Sequence, residues 1–282
     1  MTAHAATAPT PAAAGPLDRH HFLLRRLHSL SGIVPVGVFV CFHLFTNFQM
    51  VFGTFQHEVD FIHSMPALLF VEVFGLWLPI AFHAALGVVY TFTGKGNVKN
   101  YSYFDNVRYT LQRVTGILAL IFILLHVATL RWGWSFAGVL DTPFYTRQHL
   151  AGGTAVDLAH ASTAYAVQHS VWVFAVYVIG VFSVVYHWSN GLWTAAISWG
   201  LTLSPASQKR WGQVCAGMGV VLSIFSAGAL YAAMTYDIPE DVDALMAQLR
   251  SGEVEYDPHG LHLVAVPDGA PAGTPAEPVP QH

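Results

Sequence analysis

Charge is what this sequence has least of. Asp, Glu, Lys and Arg make up 10% of its 282 residues, where a soluble domain carries about 25%. With 54% hydrophobic residues and a mean hydropathy of +0.48, a water-soluble globule could not cover its apolar surface. Soluble cytosolic and secreted classes are excluded. Cysteine is nearly missing too: Cys41 and Cys215 cannot staple a scaffold of this size, and both fall in apolar stretches, where they read as buried small hydrophobes. No basic cluster is long enough to hold a phosphate backbone, and the net charge is −4, so a nucleic-acid partner is excluded. Residues 1–16 contain Ala, Pro and Thr without an apolar core; they read as a disordered arm, not a signal peptide.

What the sequence does have is long charge-free runs. A bilayer core about 30 Å thick takes about 20 apolar helical residues to cross, so gaps between charges mark the spans. Span I lies at about Leu27 to Phe52 and span II at about Ala67 to Phe92, interrupted only by Glu72. Span III occupies the 17 uncharged residues between Arg113 and Arg131, whose side chains can snorkel to the interfaces. Span IV runs from about Val167 to Trp193 and span V from about Gly212 to Tyr236. The expected fold is all-α, an integral membrane bundle of five transmembrane helices over residues 17–236. Residues 237–282 form an acidic, Pro-rich tail that holds nine of the sixteen carboxylates, with a possible short strand at Leu261 to Val266.

Nine of the twelve Lys and Arg residues fall on the side of the amino terminus. Positive connections stay cytoplasmic, so the amino terminus is expected inside and the carboxyl terminus outside. The long connection from Arg131 to Gln168 then lies outside. In span V, Gly219, Ser223 and Ala227 recur every four residues, a small-residue stripe suited to close helix packing.

Four of the sixteen histidines sit well inside spans: His43, His83, His126 and His187, one on each of spans I to IV. An ionisable ring at membrane depth is costly and is rarely left without a partner. Spans I and III run outward and carry His43 and His126 late, in the outer half. Spans II and IV return and carry His83 and His187 late, in the inner half. The depths give two pairs, one per leaflet, each from two parallel helices. Two facing imidazoles from different helices are what a non-covalent b haem requires as axial ligands, and no C-x-x-C-H segment offers covalent attachment.

Glycines match these levels. Gly32 and Gly116 precede His43 and His126 by eleven and ten residues, about 15–16 Å toward the inner level. Gly75 and Gly180 precede His83 and His187 by eight and seven, about 10–12 Å toward the outer level. All four are candidates for haem clearance. Haem propionates need cationic or hydrogen-bonding partners; His28, Ser29 and Arg113 are the candidates at the inner level, and Arg131, Trp132 and Trp134 are available at the outer level. Spans II and IV share His-x-x-x-Gly, as His83/Gly87 and His187/Gly191. Spans I and III share Ser31-Gly32 and Thr115-Gly116. A two-helix pattern used twice is the simplest reading.

The segments RRLHSLSGIVPVGVFVCFH (Arg25 to His43), LPIAFHAALGVVY (Leu78 to Tyr90), YSYFDNVRYTLQRVTGILALIFILLH (Tyr101 to His126) and HWSNGLW (His187 to Trp193) resemble the di-haem cytochrome b subunit of bacterial succinate dehydrogenase and fumarate reductase, in its single-chain five-helix form. The resemblance covers roughly Leu17 to Tyr236. It implies two b haems, with His83 and His187 on the inner iron and His43 and His126 on the outer. It also implies a bacterial cytoplasmic membrane, a flavoprotein and an iron–sulfur subunit docked inside, and a membrane quinone as electron carrier. The chain would be the electron-transfer and quinone-reactive subunit, not the one that binds the dicarboxylate. Glu72 lies eleven residues before His83, about 16 Å further out on nearly the same helix face, and is a candidate for the protons of quinone chemistry. Helix count and paired histidines alone would also allow the quinone-reactive cytochrome b of a hydrogenase or formate dehydrogenase; the four motifs argue against that alternative.

Overall fold

A computed structural model describes residues 20–94, 104–132 and 158–238, together with three short strands further on. The expected arm at 1–16, residues 133–157 of the long connection and most of 237–282 lie outside the described residues, as do the side chains of Arg131 and Trp132 and the whole of Trp134. Among the described residues seven helices follow one another: α1 (His21–Phe52), α2 (Phe55–His63), α3 (Leu68–Thr93), α4 (Phe104–Trp132), α5 (Leu158–His169), α6 (Val171–Ser198) and α7 (Pro205–Thr235). Five of them, α1, α3, α4, α6 and α7, contain stretches long and apolar enough to cross a membrane. The protein is a five-helix membrane bundle.

The helix ends follow from local chemistry. The hydrogen-bond ladder of α1 is interrupted at Val34–Pro35, because Pro35 has no amide hydrogen to donate. After its first three residues, Leu68–Phe70, α3 continues as a π-wound stretch, Val71–Trp77, that includes Glu72. α4 begins nine residues before Arg113, earlier than charge counting suggests. Arg113 is tolerated there because its Nη2 donates to the Tyr90 carbonyl at 2.9 Å and its guanidinium lies 4.2 Å from the Tyr109 ring centroid. α6 starts at Val171, four residues later than expected, since Ser170 is extended and its hydroxyl accepts the amide of Val173. α7 starts at Pro205, seven residues before Gly212, on a reciprocal cap between Ser204 and Ser207.

α6 packs most extensively along α4 and α7, α7 along α1, and α1 along α3, whereas α3 and α4 touch little. Phe122, Ala166, Val173 and Tyr177 join α4, α5 and α6. Leu44, Val185 and Leu222 join α1, α6 and α7. Met50, Phe55, Ala159, Ala232 and Ala233 tie the short helices α2 and α5 to the ends of α1 and α7. Large apolar side chains such as Phe42, Leu69, Leu124 and Ile224 point outward, which a lipid environment permits and water does not. In the small-residue stripe of α7, a Cβ at Gly219 would lie 2.7 Å from the Ser189 hydroxyl, so the glycine brings α7 against α6. The strands β1 (Val254–Asp257), β2 (His262–Ala265) and β3 (Glu277–Pro278) form an antiparallel sheet in that order, with Val254 opposite Ala265 and Val264 opposite Pro278. β2 falls inside the segment Leu261 to Val266.

Candidate functional site

The structure brings His83 of α3 and His187 of α6 together, ring centroids 6.0 Å apart and planes at 89°. Each ring is held by a carbonyl on a neighbouring helix: Nδ1 of His83 lies 2.8 Å from the His28 carbonyl on α1, and Nδ1 of His187 lies 2.9 Å from the Gln112 carbonyl on α4. A carbonyl has no proton to give, so each Nδ1 carries the hydrogen and donates it. In the neutral ring this leaves the Nε2 lone pair for a metal, the tautomer in which a histidine binds a metal through one nitrogen while the other is anchored.

One turn beyond each of these carbonyls stands a glycine. A Cβ at Gly32 would meet Cε1 of His83 and lie 2.6 Å from its Nδ1; a Cβ at Gly116 would lie 2.8 Å from Cε1 of His187. One turn beyond each histidine the relation is returned. Gly87 faces the His28 ring and Gly191 faces the Gln112 amide, each at 3.3 Å from a would-be Cβ. The α1/α3 and α4/α6 pairs are therefore two copies of one interlock, matching the repeated motif.

The copies differ in what surrounds them. His28 stacks on His83, with centroids 4.0 Å apart and planes at 11°. Gln112 instead donates from Nε2 to the His187 carbonyl at 3.0 Å and accepts from Asn190 at 2.7 Å. Arg108 closes that relay, donating to Asn190 Oδ1 at 2.8 Å with its guanidinium 3.5 Å from the Trp193 ring centroid.

A cavity of about 810 Å³ lies between α1, α3, α4 and α6, lined by both imidazoles and by Gly32, Gly87, Gly116 and Gly191. That is within the range of sites for sizeable ligands. Its remaining wall is mostly apolar, including Val36, Ala84, Ile117 and Leu120, and Arg25, His28, Ser29, Tyr90 and Arg113 also line it. Ser29 donates to the Arg26 carbonyl at 2.9 Å and accepts from the Trp199 indole at 2.8 Å.

His43 of α1 and His126 of α4 meet at a second level, centroids 5.8 Å apart and planes at 79°. Nδ1 of His126 lies 3.1 Å from the buried Tyr177 hydroxyl on α6. Asn47 donates to the His43 carbonyl at 2.7 Å and lies 3.4 Å from its Nε2. A Cβ at Gly180 would run into the ring of Phe122, which stands against both His126 and Tyr177. Gly75 is exposed, with only a Val71 methyl at 3.8 Å from a would-be Cβ. Glu72 is half-buried in the π-wound stretch that packs against Pro35–Phe48, the part of α1 that carries His43.

The chain is 36% identical over 213 residues to the succinate dehydrogenase cytochrome b558 subunit of Bacillus subtilis (strain 168), an alignment covering 75% of this chain and 96% of that protein. The chain belongs to that family. No protein-family model matches it. Within this family member, sequence reasoning missed Gln112 and Tyr177 as partners of the histidines, and Arg108 behind them as the partner of Asn190. Tyr177 precedes His187 by ten residues on one helix, about 15 Å, a spacing that places it at the level of His43 and His126. Main-chain acceptors such as the His28 carbonyl leave no mark in a sequence.

Proposed function

We propose that this chain is the membrane-anchor cytochrome b subunit of a succinate:quinone oxidoreductase and binds two b haems, His83 and His187 holding the inner one and His43 and His126 the outer one. The observation that carries this reading is the spacing within the two imidazole pairs. Facing imidazoles drawn from two different helices would hold a haem between them without a covalent link. The ring centroids of the pairs lie 6.0 and 5.8 Å apart. The donor set fits as well: at the inner level both imidazoles are anchored through Nδ1–H, glycine backbones flank them, and Arg25 and Arg113 supply positive charge on the cavity wall.

When bound, each haem supplies a one-electron iron couple, so two levels make a conducting path along the bundle. The residues do the rest. The carbonyls of His28 and Gln112 fix the inner imidazoles, and the Tyr177 hydroxyl fixes that of His126. Arg113, Ser29 and His28 bind propionates at the inner mouth. Gly32, Gly75, Gly116 and Gly180 give the two levels room. Glu72 passes protons for a quinone that reacts near the outer pair. The positive loops put the amino terminus in the cytoplasm of a bacterial cell and the carboxyl terminus outside, with flavoprotein and iron–sulfur subunits docked on the inner face of the anchor domain at 17–236. Moving one charge across 100 mV is worth about 2.3 kcal/mol, so electron delivery across the bundle senses the membrane potential. Pyridine haemochrome quantitation of the purified chain is the test: two b haems per chain are expected, and a colourless preparation, or one haem per chain, overturns the reading.

A further inference from the structure

The two inner imidazoles donate to helix carbonyls that are not equally loaded. In an α-helix each carbonyl already accepts the amide proton four residues on, and it has only two lone pairs. The His28 carbonyl also receives the Ser31 hydroxyl at 2.9 Å besides Nδ1 of His83 at 2.8 Å. The equivalent hydroxyl on α4 is placed differently. Thr115 donates to the Leu111 carbonyl at 2.7 Å and stands 3.4 Å from the Gln112 carbonyl that serves His187. At the first site the hydroxyl competes with the imidazole for one oxygen; at the second it donates at 2.7 Å to the Leu111 carbonyl and reaches the imidazole's acceptor only at 3.4 Å.

We infer that the Ser31 hydroxyl is a tuning residue for the inner haem, weakening the hydrogen bond that His83 makes to the His28 carbonyl. The inference rests on the reading that His83 and His187 hold one haem. An acceptor on Nδ1 raises the basicity of the ligating imidazole, and a more basic ligand favours the oxidised iron. Removing the hydroxyl frees a lone pair, strengthens the Nδ1–H bond and lowers the potential.

The test is a potentiometric titration of the full chain carrying Ser31→Ala, Ser31→Thr or Thr115→Ala, the inner component being the one that His83→Ala removes. Ser31→Ala is expected to cut the reduced-to-oxidised ratio of that component about threefold at fixed ambient potential, about 28 mV more negative at 59 mV per tenfold for one electron. Ser31→Thr, which keeps a hydroxyl, and Thr115→Ala should each move it by less than half as much, with the outer component unmoved. An unshifted Ser31→Ala, a positive shift, or an equal shift in Thr115→Ala overturns the inference. Loss of the inner haem from Ser31→Ala also overturns it, because removing a competitor cannot weaken the ligand's anchor. An unaltered chain without two b haems, or a His83→Ala chain that keeps both, instead overturns the reading beneath it.

Discussion

Replacing Gly116 by Ala is the smallest change that reaches the inner pair. The new Cβ would stand 2.8 Å from Cε1 and 3.0 Å from Nδ1 of His187, whereas ordinary contact begins at 3.4 Å. The ring must retreat by about 0.6 Å, against its 2.9 Å bond to the Gln112 carbonyl and against the tightly packed α4/α6 interface. Metal–ligand distances hold to within about 0.2 Å, so the displacement is about three times the tolerance. Helix propensity pulls the other way, since Ala is about 1 kcal/mol better than Gly in a helix interior; a lost haem could not be blamed on a weakened helix. The assay is haem content and the reduced-minus-oxidised spectrum of the purified chain, with Gly217→Ala as control because a Cβ there meets nothing within 4 Å. One haem per chain is expected for Gly116→Ala and two for Gly217→Ala. Two haems with unaltered spectra in Gly116→Ala would refute the claim that this glycine sets the ring position.

Tyr177→Phe removes the hydroxyl 3.1 Å from Nδ1 of His126; an unpaired buried donor costs about 1–3 kcal/mol, and the less basic ligand should shift the outer component of a redox titration positive while the inner one stays put. Glu72→Gln keeps the shape of the side chain and removes its proton-carrying charge. It should slow quinone-linked turnover of the assembled complex about a hundredfold or more, the scale of general acid–base effects, with both haems retained in the spectrum.

The five membrane helices were legible because charge-free runs report directly on what a bilayer admits. Their ends were less so. Arg113 looked like a boundary, yet its charge is satisfied inside α4 by a carbonyl and a tyrosine face, an arrangement that charge counting cannot register. The short helices α2 and α5 were invisible for another reason: both are too brief to span, α2 carrying Gln, His, Glu and Asp among its apolar residues and α5 carrying His, Ser, Thr and Gln among small ones, so they read as loop. At the site, histidine depth on alternating helices was enough to group the rings by level, because rise per residue is fixed. The glycines were legible as gaps, but what fills them was not. Gly32 and Gly116 lie under imidazoles, Gly180 under Phe122, and Gly75 under nothing close. Which atom a gap receives depends on rotation of one helix against another, and that is set by contacts between segments far apart in the chain.

Single histidine replacements test the pairing most directly. In redox titrations of the purified chain, His83→Ala and His187→Ala are expected to abolish the same component, and His43→Ala and His126→Ala the other. If His83→Ala instead removes the component lost in His43→Ala or His126→Ala while its partner survives, the two-level arrangement is wrong.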